Sequence, residues 1–195
     1  MNIIITTRKQ HHVSDEILFD LIRSSYQQWI DAGIKTSWLH YTFQDFKKNI
    51  SRSVIYLALD ENSNEVLGMH CFRLNLKRMI AHGFYLAVLP KVKHQGIATR
   101  MLQEEVAQIR QRGFRYLTGY TEVSAPWSVR WHLKNGYRII GYHHAPAPYS
   151  DTYTFRLQLV PSLLWGPTLG PITAKLRYFA SKIKGHMYHM GTPNL

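Results

Sequence analysis

A short basic turn in the middle of the sequence has the residue types needed to bind an anion. The apolar run 84–89 predicts a buried strand that ends at Pro90, which cannot donate a hydrogen bond to a neighbouring strand. Residues 91–95 then read Lys-Val-Lys-His-Gln, and Gly96 precedes a segment with helical periodicity. Free backbone N–H groups at a helix start attract anions, and the helix dipole adds to that attraction. The stretch therefore predicts either a phosphate-binding turn or an ordinary turn with solvated lysines.

The elements around this turn follow a mixed α/β pattern. Apolar alternation and helical periodicity predict a strand, two helices, three strands, a helix, a strand, a helix and two strands. The predicted strands cover 2–7, 54–59, 66–74, 84–89, 115–123, 137–142 and 151–159, and the predicted helices cover 14–33, 42–50, 96–112 and 125–134. This order predicts one central mixed β-sheet of about seven strands flanked by helices.

The composition of the 195-residue chain is that of a folded domain with a basic surface. Hydrophobic residues make up 45% of the sequence and aromatic residues 13%, which is enough for a core and excludes general disorder. The net charge of +12 favours anionic partners, whether a phosphorylated cofactor, nucleic acid, an acidic protein or a membrane surface. The single cysteine, Cys71, excludes an intrachain disulfide, and we expect no metal cofactor. We expect Cys71 to be a packed thiol that shares a strand face with Leu67 and Met69.

Hydropathy gives an expectation about location. No segment has the roughly 18 uninterrupted apolar residues of a membrane span, and no signal-peptide pattern is recognisable. We therefore expect a cytoplasmic protein.

Two segments resemble motifs of the GCN5-related N-acetyltransferases, the GNAT family. The segment Lys93-x-x-Gly96-x-Ala98 is similar to the family's Gln/Arg-x-x-Gly-x-Gly/Ala pyrophosphate loop, with lysine in place of the usual Gln or Arg. Glycine lets a diphosphate approach the backbone closely, and lysine keeps a donor but loses the planar geometry of arginine.

The second segment of resemblance is a helix that leads into a Gly-aromatic pair. In the family it bears Asn-x-x-Ala/Ser and a Tyr seven residues after the Asn, followed by Gly-Phe. Ser128 and the pair Gly136-Tyr137 match this pattern, whereas Ala125 replaces the Asn and His132 replaces the Tyr. Together with the element order, the resemblance covers about residues 2–160 and implies the GNAT fold.

The resemblance also implies acetyl-CoA as the acyl donor and names the residues that would hold it. Leu86, Ala87 and Val88 would line the pantetheine arm, and a backbone N–H near Val88 would polarise the thioester carbonyl. The backbone of His94 through Thr99 would wrap the diphosphate, and Lys93 and Arg100 would be the nearby cations. The residues expected around the diphosphate are therefore Lys93, His94, Gln95, Gly96, Ile97, Ala98, Thr99 and Arg100.

Acyl transfer to an amine would need two proton-handling groups. The acceptor nitrogen must be neutral, and Glu122 at the end of its predicted strand is the candidate general base, although it could equally be a solvated strand-end carboxylate. The departing thiolate needs a proton, and His132 stands where the family has a tyrosine donor, although it could simply pack beside Trp131. His82 and Tyr85 are alternatives to His132.

The C-terminal part of the sequence differs from the rest in charge. We expect residues 1–160 to form the acyltransferase domain and residues 161–195 a basic extension, with an amphipathic helix at about 172–184. That helix could lie on an anionic membrane surface, but packing on the domain or in a homodimer is favoured over membrane contact.

The leading hypothesis is an N-acyltransferase that moves an acetyl or longer acyl group from CoA directly to an amine of a small molecule or peptide. An alternative is a CoA-binding regulatory module that has lost catalysis, suggested by Ala125 and His132. A nucleic-acid-binding protein is less favoured because the charge comes without a recognisable reading motif. The connections that would shape the acceptor site, 32–42 and 143–151, carry aromatic residues and histidines but few carboxylates, which disfavours a polyamine.

Overall fold

The structure is a computed structural model that describes residues 2–36 and 40–160. It contains seven strands and four α-helices in this part of the chain, in the order predicted from the sequence. The strands are β1 (Ile3–Thr7), β2 (Val54–Asp60), β3 (Val66–Asn75), β4 (Ile80–Val88), β5 (Tyr116–Glu122), β6 (Arg138–His143) and β7 (Thr152–Gln158). The helices are α1 (Asp15–Asp31), α2 (Phe43–Ile50), α3 (Ile97–Gln111) and α4 (Pro126–Lys134). The mixed α/β fold is confirmed.

One sheet holds all seven strands in the order β1-β2-β3-β4-β5-β7-β6. Every neighbouring pair is antiparallel except β4 and β5, which run parallel. Parallel neighbours need a crossover connection, and α3 supplies it between β4 and β5. The sheet is therefore two antiparallel blocks joined at one parallel seam.

The helices cover both faces of the sheet. One core contains the apolar side of α3 with Phe72, Leu117 and Phe155 from the strands. The other packs α1 and α2 against β2, β3 and the end of β4. We call these the α3-side core and the α1-side core.

Local capping explains where the helices begin. The Ser14 hydroxyl accepts a hydrogen bond from the backbone N–H of Ile17 at the start of α1. At the start of α2, Thr42 and Asp45 form a reciprocal capping box, and hydrogen bonding to Thr42 lowers the pKa of the Asp45 carboxyl.

Three expectations from the sequence need comment. β4 begins at Ile80 rather than Phe84, because Ile80–Gly83 extend the hairpin with β3 although His82 and Gly83 are not typical strand residues. Cys71 is buried beside Met69 as expected, but a bulge at the β2–β3 pairing puts Leu67 in the α3-side core instead. The C-terminal extension and its amphipathic helix lie outside the described residues. Within the described part of the chain, no helix is long and apolar enough to cross a membrane.

Candidate active site

The parallel seam between β4 and β5 is short, and this opens a fork in the sheet. Residues Ile80–His82 pair with Tyr116–Thr118, whereas β4 continues to Val88 and β5 to Glu122. Beyond the last pair, His82 and Thr118, the two strands part. The seam thus leaves an opening in the middle of the sheet, between backbones that would otherwise bond to each other.

A bulge in β4 and two side chains of α1 shape the wall of the fork. One extra residue lies between Phe84 and Ala87, opposite Met69–Cys71, and Tyr85 takes a positive φ of 54°. Carbonyls that would face a neighbouring strand bond to α1 instead. The Tyr26 hydroxyl donates to Leu86 O at 2.8 Å, and the Ser25 hydroxyl donates to Val88 O at 2.9 Å.

These hydrogen bonds fix where the N–H of Val88 points. The N–H of Leu89 donates to Leu67 O on β3 at 2.9 Å. Successive strand residues direct their N–H and C=O groups to opposite sides, so those of Val88 face away from β3. The Val88 carbonyl is taken by Ser25, and the Val88 N–H is directed into the fork. The N–H of Val88 is thus turned away from β3, and its role as a donor to a thioester stays a prediction.

The turn after β4 leads from the fork to the start of α3. A 3-10 turn at Pro90–Val92 is followed by two left-handed residues, His94 at φ 64° and Gly96 at φ 77°. No atom lies within 4 Å of where a Cβ would stand on Gly96. Gly96 caps α3 without a side-chain hydrogen bond, so no capping side chain covers the first N–H groups of this helix. The turn has the geometry of an anion cradle.

The other side chains predicted to hold CoA fall into different environments. Gly96, Ala98, Thr99 and Arg100 lie around the helix start, whereas Ile97 is buried in the α3-side core. Trp131 of α4 donates from Nε1 to the Thr99 hydroxyl at 3.3 Å, which ties α4 to this turn. Ala87 is also buried, in the α1-side core, so only its backbone can face the fork.

Lys93 does not point along the turn as a free cation. Its Nζ donates to Ser25 O at 2.9 Å and to Gln28 Oε1 at 3.0 Å, both on α1. Partial burial lowers the pKa of this ammonium group. Lys93 thus fastens the turn to α1, and its role as a cation beside the diphosphate stays a prediction.

Glu122 ends β5 inside the protein, on the side of α1. Its side chain is 5% exposed, so the alternative of a solvated strand-end carboxylate is wrong. Burial of Tyr26 is the first cause that raises the pKa of its hydroxyl, and the negative charge of Glu122 is the second. A buried carboxylate therefore ends β5, and its charge acts on the phenol that binds the β4 backbone.

His132 faces the fork from α4, on the other side of the sheet. Its ring stacks on Phe155 with centroids 4.5 Å apart. Nδ1 lies 2.8 Å from Ser128 O, and because a carbonyl only accepts, Nδ1 carries the proton. Nε2 therefore bears a lone pair, 3.5 Å from where a Cβ would stand on Gly119. Burial lowers the pKa of His132 to about 4, so the ring is neutral at neutral pH.

The depressed pKa of His132 predicts a pH-dependent stability. The unfolded histidine titrates at about 6.5 and so binds more protons than the folded one between pH 6.5 and 4, which makes stability fall as pH drops through this window. Because of His132, the free energy of unfolding is about 3 kcal/mol higher above pH 6.5 than below pH 4. His132→Phe, which can still stack on Phe155, should flatten the curve of unfolding free energy against pH. Urea unfolding from pH 4.5 to 8 measures it, and parallel curves for both proteins would contradict it.

The two alternatives to His132 have structural partners. The His82 imidazole lies 2.6 Å from the Thr118 hydroxyl through Nδ1, at the last paired position of the seam, and burial lowers its pKa. The Tyr85 hydroxyl accepts from Asn49 at 3.3 Å, and burial raises its pKa to about 12. Both side chains are therefore held by neighbouring strand or helix residues.

Two positioning residues were missed by the sequence analysis, Ser25 and Tyr26. The available signal was a serine on the apolar side of a helix, where a hydroxyl must find a hydrogen-bond partner. In the structure Ser25 is 4% exposed. Their partners are 60 and more residues away along the chain, so the pattern could not name them. No group of three or more potential metal ligands is found among the described residues.

Comparison with known proteins agrees with this geometry. The sequence model of the family described as "Acetyltransferase (GNAT) family" matches residues 16–137, which is more than half of the chain. The match spans the fork, the turn and α4. No curated protein matches the chain by sequence.

Solved structures share the fold at low sequence identity. The ribosomal-protein-S18-alanine N-acetyltransferase from Escherichia coli is 13% identical, with a TM-score of 0.66, over 83% of this chain and 96% of that one. An N-acetyltransferase from Staphylococcus aureus Mu50 is 20% identical, with a TM-score of 0.59, over 82% and 100%. A GNAT family acetyltransferase from Elizabethkingia anophelis, solved with acetyl-CoA bound, is 16% identical, with a TM-score of 0.60, over 80% and 98%.

Proposed function

Because the chain belongs to the acetyltransferase (GNAT) family, we propose that it transfers an acyl group, acetyl in the simplest case, from the thioester of CoA to an amine. The observation that carries the proposal is that one short stretch of chain, the end of β4 and the turn after it, joins the β4–β5 fork to the open glycine turn at the start of α3. A nucleotide thioester needs both places, since its phosphates and its reacting carbon lie far apart.

The residues along this stretch fit acetyl-CoA. The backbone of His94 through Thr99, with its left-handed glycine and a helix start that no side chain caps, suits a diphosphate, and Arg100 is exposed beside it. The N–H of Val88 would donate to the thioester oxygen and stabilise the charge that develops there. Bound acetyl-CoA would supply an activated acyl carbon and a thiolate leaving group.

Glu122 is proposed as the base that keeps the acceptor amine neutral. Glu122 is buried at the end of β5, where the fork is open, and its charge acts on the Tyr26 hydroxyl. A carboxylate can remove the proton directly or through water. His132 carries its proton on Nδ1, so in this tautomer it would not be the proton donor to the departing thiolate. With a lone pair on Nε2 it accepts hydrogen bonds, and it can protonate the thiolate only after receiving a proton there.

The acceptor is proposed to be a single amine with apolar or aromatic surroundings rather than a polyamine. Exposed tyrosines lie before α2 (Tyr41), on β5 (Tyr120) and in the β6–β7 connection (Tyr149), and these would offer surfaces to the acceptor. That connection is bonded to the α1–α2 connection through the Ser150 N–H and Lys35 O at 2.7 Å. Aromatic faces offer apolar contact area and cation–π contacts to one ammonium group.

Acetyl-CoA turnover over a panel of amines tests the proposal. The panel should contain free amino acids, aminoacyl compounds, peptides with free N-termini and arylalkylamines, with spermidine as the polyamine. We expect saturable binding of acetyl-CoA by calorimetry and thiol release that depends on at least one amine. Failure to bind acetyl-CoA at millimolar concentration would refute the proposed donor.

A CoA-binding module without catalysis is the second candidate. It is favoured by one observation, the lack of a proton on the Nε2 atom of His132 that faces the fork. Ala125, where the family motif has Asn, is also fully buried and caps α4 without a side-chain hydrogen bond. Tight acetyl-CoA binding without thiol release across the whole panel would favour this candidate over the enzyme.

A further inference from the structure

A buried ionisable pair lies on the α3 side of the fork, and the chemistry described so far does not use it. Oε2 of Glu105, on α3, is 2.8 Å from Nδ1 of His70, on β3. The Glu105 side chain is completely buried and His70 is 5% exposed. The other carboxylate oxygen, Oε1, is buried without a hydrogen-bond partner among the described residues.

Packing alone gives no reason for a charged pair at this place. Glu105 interrupts an apolar row on α3, and the His70 ring lies against Phe72 with centroids 4.2 Å apart. Removing a carboxylate from water is costly, and an apolar pair of similar volume at such a position is commonly neutral or more stable. Buried ionisable pairs in the wall of a cleft are, for this reason, candidates for function.

The pair directs one imidazole nitrogen at β4. Because Glu105 holds Nδ1 of His70, the remaining ring nitrogen is Nε2, and it lies 2.8 Å from where a Cβ would stand on Gly83. Any side chain at Gly83 would displace this ring. A glycine inside a strand commonly marks a place where another group approaches the backbone closely.

His132 approaches the neighbouring strand in the same way. Its Nε2 is 3.5 Å from where a Cβ would stand on Gly119, and that position is 3.9 Å from Gly83 O. Gly83 and Gly119 directly follow the last paired residues of the β4–β5 seam. The two imidazole nitrogens therefore face two adjacent glycines at the point where the fork opens.

We propose that His70, oriented by Glu105, is a second proton-carrying imidazole of the transfer site, acting beside His132 at the Gly83–Gly119 pair. The inference rests on the proposed acyl transfer. In that reaction the amine nitrogen bonds to the acyl carbon, the carbon–sulfur bond breaks, and one proton lost by nitrogen must reach sulfur. Val88 lies five residues further along β4 than Gly83, so the proton travels through water in the fork. Nε2 of His70 accepts it, the Glu105 carboxylate stabilises the resulting imidazolium, and Nε2 then returns the proton so that CoA leaves as the thiol.

The groups around the pair do not compete for this role. Tyr56 of β2 and Tyr137 after α4 are influenced by the Glu105 charge, as is Cys71, and burial is the first cause that raises all three pKa values. These groups stay protonated at neutral pH. His132 has its proton on Nδ1, bonded to Ser128 O. Of the two imidazoles that face Gly83 and Gly119, His70 is thus the one held by a carboxylate.

Nuclear magnetic resonance of the full-length protein tests the inference without knowledge of the acceptor. With ¹⁵N-labelled histidine, addition of acetyl-CoA should shift the Nε2 resonances of both His70 and His132. Each signal is assigned with a single His→Gln variant. If backbone amides of residues 94–99 shift on addition of acetyl-CoA while His70 does not respond, the inference is wrong and the proposed function stands. If no amide of this turn responds either, the proposed function fails as well.

Kinetics with an accepted amine supply the second readout. Glu105→Gln keeps the shape and can still accept from Nδ1, but it cannot stabilise an imidazolium. We expect it to lower kcat about tenfold or more and to change the pH profile of kcat, with acetyl-CoA affinity within about twofold. The matched control is Glu104→Gln, an exposed position on the same helix. Equal kcat and equal pH profiles for the two variants would overturn the inference, and the resonance experiment on the unmodified protein decides the question if Glu105→Gln does not fold.

Discussion

Replacing Gly96 by glutamate should abolish measurable binding of acetyl-CoA. The cradle depends on empty space beside Gly96, since nothing lies within 4 Å of its Cβ position, and on a start of α3 that no side chain caps. A glutamate side chain would fill that space and bring a negative charge to the place where the diphosphate lies. We expect a loss in affinity of about 100-fold or more, which corresponds to about 3 kcal/mol. Isothermal titration calorimetry with acetyl-CoA and with CoA measures it.

The backbone strain of this substitution requires a matched control. Gly96 has φ 77°, where a residue with a Cβ costs about 1 kcal/mol. Gly113→Glu introduces the same charge at φ 82° after the other end of α3, where the nearest atom to its Cβ position is the Met79 methyl at 3.5 Å. The 15 residues of α3 separate the two sites by about 22 Å, well beyond the screening length in physiological salt. Gly113→Glu should therefore lose stability but keep its affinity, and equal affinities for both variants would place the cofactor elsewhere.

Local patterns were sufficient for the element order and for the turn. The alternation of strands and the periodicity of α3 depend on which neighbouring residues are apolar, and each element can be recognised from its own segment. The turn at Gly96 was recognisable for the same reason, because its conformation follows from a glycine and a proline within seven residues. The predicted and observed ends of the elements differ most at β4. There, pairing with β3 overrides the weak strand preference of the first residues of β4.

The walls of the fork were beyond the sequence because they are made by contacts between distant segments. Whether Lys93 faces a ligand or α1 depends on two acceptors on α1, 65 and 68 residues earlier in the chain. The position of Glu105 along the chain partly indicated that its side chain is buried and paired. It stands four residues after Met101 and four before Ile109, so it lies on the apolar face of α3 where a carboxylate must be paired. Its partner, His70, could be identified only once β3 was placed against the helix.

Glu122→Gln should separate catalysis from binding of the donor. The substitution keeps the size of a side chain that is 5% exposed but removes the carboxylate that would take the proton of the amine. General base catalysis contributes about 100- to 10,000-fold, so we expect kcat with an accepted amine to fall about 100-fold or more while acetyl-CoA affinity stays within about twofold. Thiol release, measured with a chromogenic disulfide, gives kcat, and calorimetry gives the affinity. Glu61→Gln, at an exposed turn after β2, is the control for loss of one carboxylate.

The pH dependence of this defect distinguishes a base from a structural carboxylate. An alkylamine has a pKa of about 10, so the fraction that is already neutral grows about tenfold for each unit of pH below that value. As pH rises from 7 to 9, the enzyme needs less help to deprotonate its acceptor, and the ratio of wild-type to Glu122→Gln rates should shrink toward one. A carboxylate that only maintains the end of β5 would give a ratio independent of pH. A constant ratio would therefore assign the base to another group, while leaving the cradle at Gly96 and the fork between β4 and β5 as the site of the donor.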